Sequence, residues 1–176
     1  MDDVSVEILI RASSIDEEFK YLKYILSRNE FYEKNKKYTV SYPDNPNLRN
    51  PEILKNSDHM YEIFKNSEYD EKFYEKGLNI LYPYKYKLEK LLEKLLILGS
   101  KWSFKTFPLY QVILTKYGPG GSYSYDNDKG TVTLLTTKDG QFKRSDPDQS
   151  IIHEIVHIGI EESIVQKFKL SHWEKE

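Results

Sequence analysis

The segment spanning residues 146–169 constrains this chain most, because its apolar residues demand burial while the polar ones among them demand partners. Ile151, Ile152, Ile155, Val156, Ile158, Ile164, Val165 and Phe168 mark it as a strongly apolar helix that is mostly buried. Asp146-Pro147-Asp148-Gln149 suits its start, with an acceptor at the N-cap, proline in the first turn and an acid at the positive end of the dipole. In its middle stands His153-Glu154-Ile155-Val156-His157. A helix rises about 1.5 Å and turns about 100° per residue, so His153 and His157 stand about 6 Å apart on one face. Glu154 lies about 100° around from His153. Two imidazoles so placed can grip one cation while the carboxylate meets a water beside it. The competing reading is a hydrogen-bonded pair of core histidines with Glu154 in a salt bridge. Burying two imidazoles and a carboxylate on an isoleucine-rich helix is costly unless something satisfies them, which favours the cation.

Two histidines do not complete a zinc site. The chain has no cysteine, so further ligands must come from His, Asp or Glu. Glu161 continues the row of His153 and His157, but residues eight apart on a straight helix are separated by about 12 Å, so a kink near Gly159 would be needed. His172, Glu174 and Glu176 come from a following turn or helix, which Ser171 and Glu174 open with capping spacing.

The 176 residues suit one domain with a hydrophobic core of its own. The 26 basic side chains nearly balance the 28 acidic ones, so no global field points to nucleic acid or to an anionic membrane. The first residues, MDDVSVEILIRASS, carry acids where a signal peptide carries basic residues. The longest apolar run, residues 95–98, is far short of the roughly 20 that span a membrane, so the expectation is a cytoplasmic protein. The fifteen tyrosines read as amphipathic rings covering the edge of the core rather than as a binding surface.

Alternation predicts a strand over residues 4–11, and Ser14-Ile15-Asp16-Glu17 has capping-box spacing for a helix through Leu26. Residues 42–51 read as a loop, Pro51 as the start of a helix to about residue 66 with Ile53, Leu54, Met60, Ile63 and Phe64 inside, and residues 71–76 as a further helix. Leu88, Leu91, Leu92, Leu95 and Leu96 make residues 84–98 a packing helix stopped by Gly99. Residues 107–115 read as a buried strand, and residues 122–125 and 131–137 as a hairpin turning at Asp126–Gly130. Gly118-Pro119-Gly120-Gly121 lacks the sequel of a phosphate-binding loop and leads into strand.

Over residues 84–176 this order, together with HEIVH, resembles the gluzincin metallopeptidases, most closely the small single-domain minigluzincins. The metzincin pattern fails, since Ile160 and Ser163 stand where it requires glycine and histidine. The resemblance implies an α+β zincin-like fold: a small mixed sheet, a backing helix, an active-site helix and a following helix that bears a glutamate. It implies Zn2+ held by His153 and His157 and by Glu176, or second Glu174, with Glu154 as general base of a peptidase. A peptide substrate would lie extended along an edge strand formed by residues 122–125 or 131–137. Residues 1–80 have no counterpart in that family and read as an N-terminal extension or subdomain within one domain. The alternative is a latent zincin-like protein whose role is regulation or partner binding.

Overall fold

Alternating apolar residues in four short segments build one mixed sheet in the computed structural model, which describes residues 6–99 and 103–169. The strands are β1 (Glu7–Ala12), β2 (Leu109–Thr115), β3 (Gly121–Tyr125) and β4 (Lys129–Leu135), in the order β1-β2-β4-β3. β1, β2 and β4 run parallel, and β3 is antiparallel to β4. Residues 4–5 of the first expected strand lie outside the described residues, and the strand ends one residue later than the alternation predicts; the last strand starts two residues earlier. The reason for the latter is the turn, where Asp126 Oδ1 accepts from the amides of Asp128 and Lys129, each at 3.0 Å, and pairing begins at Lys129. Of the two candidate edge strands, residues 122–125 lie at the edge; residues 131–135 lie inside, between β2 and β3.

Register puts three cross-strand rows on one face: Ile8, Tyr110, Gly130 and Tyr125; Ile10, Val112, Val132 and Tyr123; Ala12, Leu114, Leu134 and Gly121. This face meets the helices α5 (Glu75–Leu81), α6 (Lys85–Gly99) and α7 (Pro147–Ile160), whose Leu81, Leu88, Leu92, Ile151, Ile155 and Ile158 are fully buried against it. Lys87 Nζ lies 2.5 Å from Asp148 Oδ2 and ties α6 to the first turn of α7. Asp146 does not cap α7 with its side chain; its carboxylate accepts from the neighbouring Ser145 hydroxyl instead. Beyond Ile160 the helix widens into a π-helical turn, Glu161–Gln166, which rotates the remaining residues. Ile164 and Phe168, expected inside, are consequently 38% and 64% exposed. The glycine before this change matters: the Phe104 ring occupies the space that a Gly159 side chain would need, and Lys105 N donates to Gly159 O at 2.8 Å.

The first eighty residues are not separate from the sheet, because β1 is one of its strands. Helix α1 (Ile15–Ser27) starts at the capping box read from Ser14 and Glu17. It is followed by α2 (Asn29–Lys34), a helix that the pattern did not reveal. The helix expected over residues 51–66 is broken into α3 (Pro51–Leu54) and α4 (Ser57–Ser67). Asn56 causes the break by accepting from His59 N at 3.0 Å, an N-cap that restarts the helix and leaves Leu54 exposed. The loop over residues 42–51 holds a 3₁₀ turn, Pro46–Arg49, that buries Leu48 completely, and residues 71–76 divide between a 3₁₀ turn and α5. These helices share a second core of Phe19, Leu22, Ile25, Tyr32, Leu48, Met60, Phe64 and Tyr117.

Two buried carboxyl groups join that core to the end of β2. Glu18 Oε1 accepts from Tyr74 OH and Lys116 N, each at 2.8 Å, and burial pushes its carboxyl above the usual range. Glu68 accepts from Tyr117 OH at 3.0 Å and pairs with Lys116 Nζ at 2.7 Å. Among the described residues no helix is long and apolar enough to cross a membrane.

Two outcomes follow from these contacts. Arg11 makes two 2.6 Å bonds to Glu17 and holds its carboxyl down at about 2, against an ordinary value of 4.5. A depressed acid stabilises the fold above its ordinary value and loses that effect as pH falls through the folded value. Glu17→Gln keeps the capping box, so it should lower stability at pH 7 by less than about 1 kcal/mol, given the pair's exposure. The difference should shrink as pH falls from about 4.5 toward about 2, as read from thermal melts across that range. Gly159→Ala should cost about 1–3 kcal/mol in chemical denaturation, because the Phe104 ring must move.

Candidate active site

Strand β3 runs beside α7 with its alternate residues turned toward the helix. Gly121 faces Glu154, and a Cβ at Gly121 would lie 2.6 Å from Glu154 Oε1. Tyr123 stacks on the His157 ring with centroids 5.4 Å apart and planes within 4°, and its hydroxyl donates to Glu161 Oε2 at 2.7 Å. Tyr125 OH lies 3.4 Å from Gln166 Nε2. Burial and the Glu161 contact push the Tyr123 phenol far above its ordinary value, so it stays protonated and keeps donating. On the opposite side, Tyr21 of α1 places its hydroxyl 3.0 Å from Ser122 Oγ and fastens the N-terminal helices to the same strand.

One turn of α7 brings His153 and His157 together, as their spacing predicts. Their Nε2 atoms are 3.0 Å apart and their rings lie edge to face at 85°. At that distance one imidazole can donate to the other, or both lone pairs can point at a shared cation. Two nitrogens on a tetrahedral zinc ion with Zn–N of about 2.0–2.1 Å stand about 3.3 Å apart, so the donor pair fits such an ion with a small ring adjustment. His157 is buried and His153 is exposed, which gives the pair one anchored and one accessible member.

Among the described residues no third His, Asp or Glu groups with the pair to form a three-ligand site. Glu161, which the sequence admits only with a kink, sits on the π-helical turn and accepts from Tyr123. Glu174, Glu176 and His172, the candidates on the following helix, lie outside the described residues, as does that helix itself.

A cavity of about 330 Å³ opens over this arrangement. His153, Glu154, His157, Gly121, Ser122 and Tyr123 form one side; Tyr21, Tyr24, Arg28, Phe31, Tyr32 and Tyr38 form the other. Five of the fifteen tyrosines therefore line a cleft rather than merely covering a core edge. The sequence carried one signal for part of this, the period-two row Gly121, Tyr123, Tyr125 of the edge strand. It carried none for the wall from α1 and α2, which meets α7 only through the tertiary fold.

The chain matches no known protein family, no curated protein and no solved structure.

Proposed function

We propose that this protein is a zinc-dependent peptidase with a zincin-like fold, in which His153 and His157 hold the ion and Glu154 is the general base. Glu176 is the third ligand in this reading, with Glu174 as second choice. The observation that carries it is the convergence of the two Nε2 atoms at 3.0 Å beside a Glu154 carboxylate lodged against the edge strand of an open cleft.

The chemistry that zinc supplies when bound is Lewis acidity, which polarises the scissile carbonyl and lets a water lose its proton near neutral pH. The chain's own residues do the rest. A peptide lies extended along β3, whose outer side pairs with no other strand among the described residues. Glu154 takes the proton of the attacking water on its carboxylate; as the carbon–nitrogen bond breaks it passes that proton to the leaving amine. Gly121 gives the carboxylate the space to stand beside the strand that presents the peptide. Tyr123, held by Glu161, keeps the His157 ring in its plane and so aims Nε2.

A quenched fluorescent peptide library tests the reading. Cleavage should appear with zinc and vanish with a chelator; zinc bound at full occupancy without cleavage would favour the partner-binding alternative. Glu154→Gln should retain zinc while hydrolysis falls about a hundredfold to ten-thousandfold, and loss of zinc in that variant would remove Glu154 from the base role. Gly121→Ala should also retain zinc, with turnover down about a hundredfold because the carboxylate must shift. In metal titrations Glu176→Gln should weaken zinc binding at least about tenfold. The same effect from Glu174→Gln alone would move the third ligand to that residue.

A further inference from the structure

The cleft wall facing the histidines carries a chemistry that peptide hydrolysis as such does not need. Arg28 stands at the bend between α1 and α2, and its guanidinium lies over two rings, 4.9 Å from the Phe31 centroid and 5.7 Å from that of Tyr24. Both rings line the same cavity as His153, Glu154 and His157. A guanidinium laid against aromatic faces keeps its N–H edge pointing outward, in the fork geometry that matches a carboxylate. Among the described residues no carboxylate pairs with Arg28, whereas Arg11, Lys87 and Lys116 each have one. Around it Tyr21, Tyr32 and Tyr38 present further ring surface to the cavity. A cation set among aromatic rings and facing the strand that would present a peptide selects for an anion next to bulky apolar surface.

Resting on the peptidase reading, we propose that this wall is a specificity subsite, in which Arg28 binds a carboxylate of the peptide substrate while the tyrosine rings hold a bulky apolar side chain next to it. The carboxylate has two possible sources, an Asp or Glu side chain or the C-terminus of the peptide. Arg28 is thus a specificity-determining residue, whose effect falls on substrate binding more than on the chemical step.

Binding without turnover separates this proposal from the peptidase reading. The probes are three fluorescein-labelled tetrapeptides with one phenylalanine each: one amidated with a glutamate, one amidated with a glutamine in its place, and one with that glutamine and a free C-terminal carboxylate. Fluorescence anisotropy is measured on the zinc-loaded Glu154→Gln chain. The glutamate peptide, the free-acid peptide or both should bind at least about tenfold more tightly than the amidated glutamine peptide, and whichever does so identifies the source of the carboxylate. Adding Arg28→Gln should abolish the difference, and Arg28→Glu should reverse it toward a peptide with lysine at the same position. Equal binding of all three peptides, or a preference that survives Arg28→Gln, overturns the proposal even if the chain cleaves peptides. A preference that depends on Arg28 in a chain that cleaves nothing supports the subsite and overturns the peptidase reading alone. In a chain that does cleave, Arg28→Gln should raise KM for the carboxylate peptide with a much smaller change in kcat.

Discussion

The separation between β3 and α7 governs the cleft, and the absent side chain at Gly121 sets it. Any Cβ there would meet the Glu154 carboxylate, so a larger residue would push the helix from the strand or turn the carboxylate away. The same proximity lets Tyr123 lie flat on His157 and reach Glu161 two strand positions further along. Strand and helix periods match over this stretch: alternate strand residues meet successive turns of the helix. The histidines, the carboxylate and the open strand edge are therefore one geometric unit, held from behind by Ile151, Ile155 and Ile158 against the sheet.

That unit would be a shallow surface without the N-terminal half of the chain. Glu18 and Glu68 are driven into the interior at the end of β2, where Tyr74 OH and Lys116 N hold Glu18 Oε1 and where Tyr117 OH and Lys116 Nζ hold Glu68. Losing these partners together would leave buried carboxyl oxygens unpaired, so the arrangement resists sliding of the helices against the sheet. It places α1 where Tyr21 bonds to Ser122, and the bend after α1 where Arg28 and its rings close the cleft. The N-terminal segment thus contributes both a strand of the sheet and a wall of the cleft.

The placement of His153, Glu154 and His157 was legible in advance because it depends on spacing within a single helix. His153, Glu154 and His157 occupy the relative positions that helical geometry dictates, and the backing helix and hairpin follow from apolar periodicity and turn residues. Where local signals competed, the fold departed from the apolar pattern. Asn56 won over the helical spacing of Ile53, Leu54 and Met60 and split one expected helix, and the π-helical turn after Ile160 turned Ile164 and Phe168 outward against their pattern. Both are choices between hydrogen-bonding schemes of similar local energy, which neighbours settle.

The sequence alone determined what this chain can do chemically at short range: a helix with two imidazoles and a carboxylate, no thiolate ligands, and an α+β alternation with a tight hairpin. Tertiary structure alone decided that residues 121–125 rather than the later strand form the edge, that Gly121 makes room for Glu154, and that tyrosines and Arg28 from the first forty residues face the histidines. The reason is range. Periodicity and caps act over a few residues, whereas strand order and cleft walls join groups about a hundred positions apart, such as Tyr21 and Ser122, through packing that no local pattern encodes.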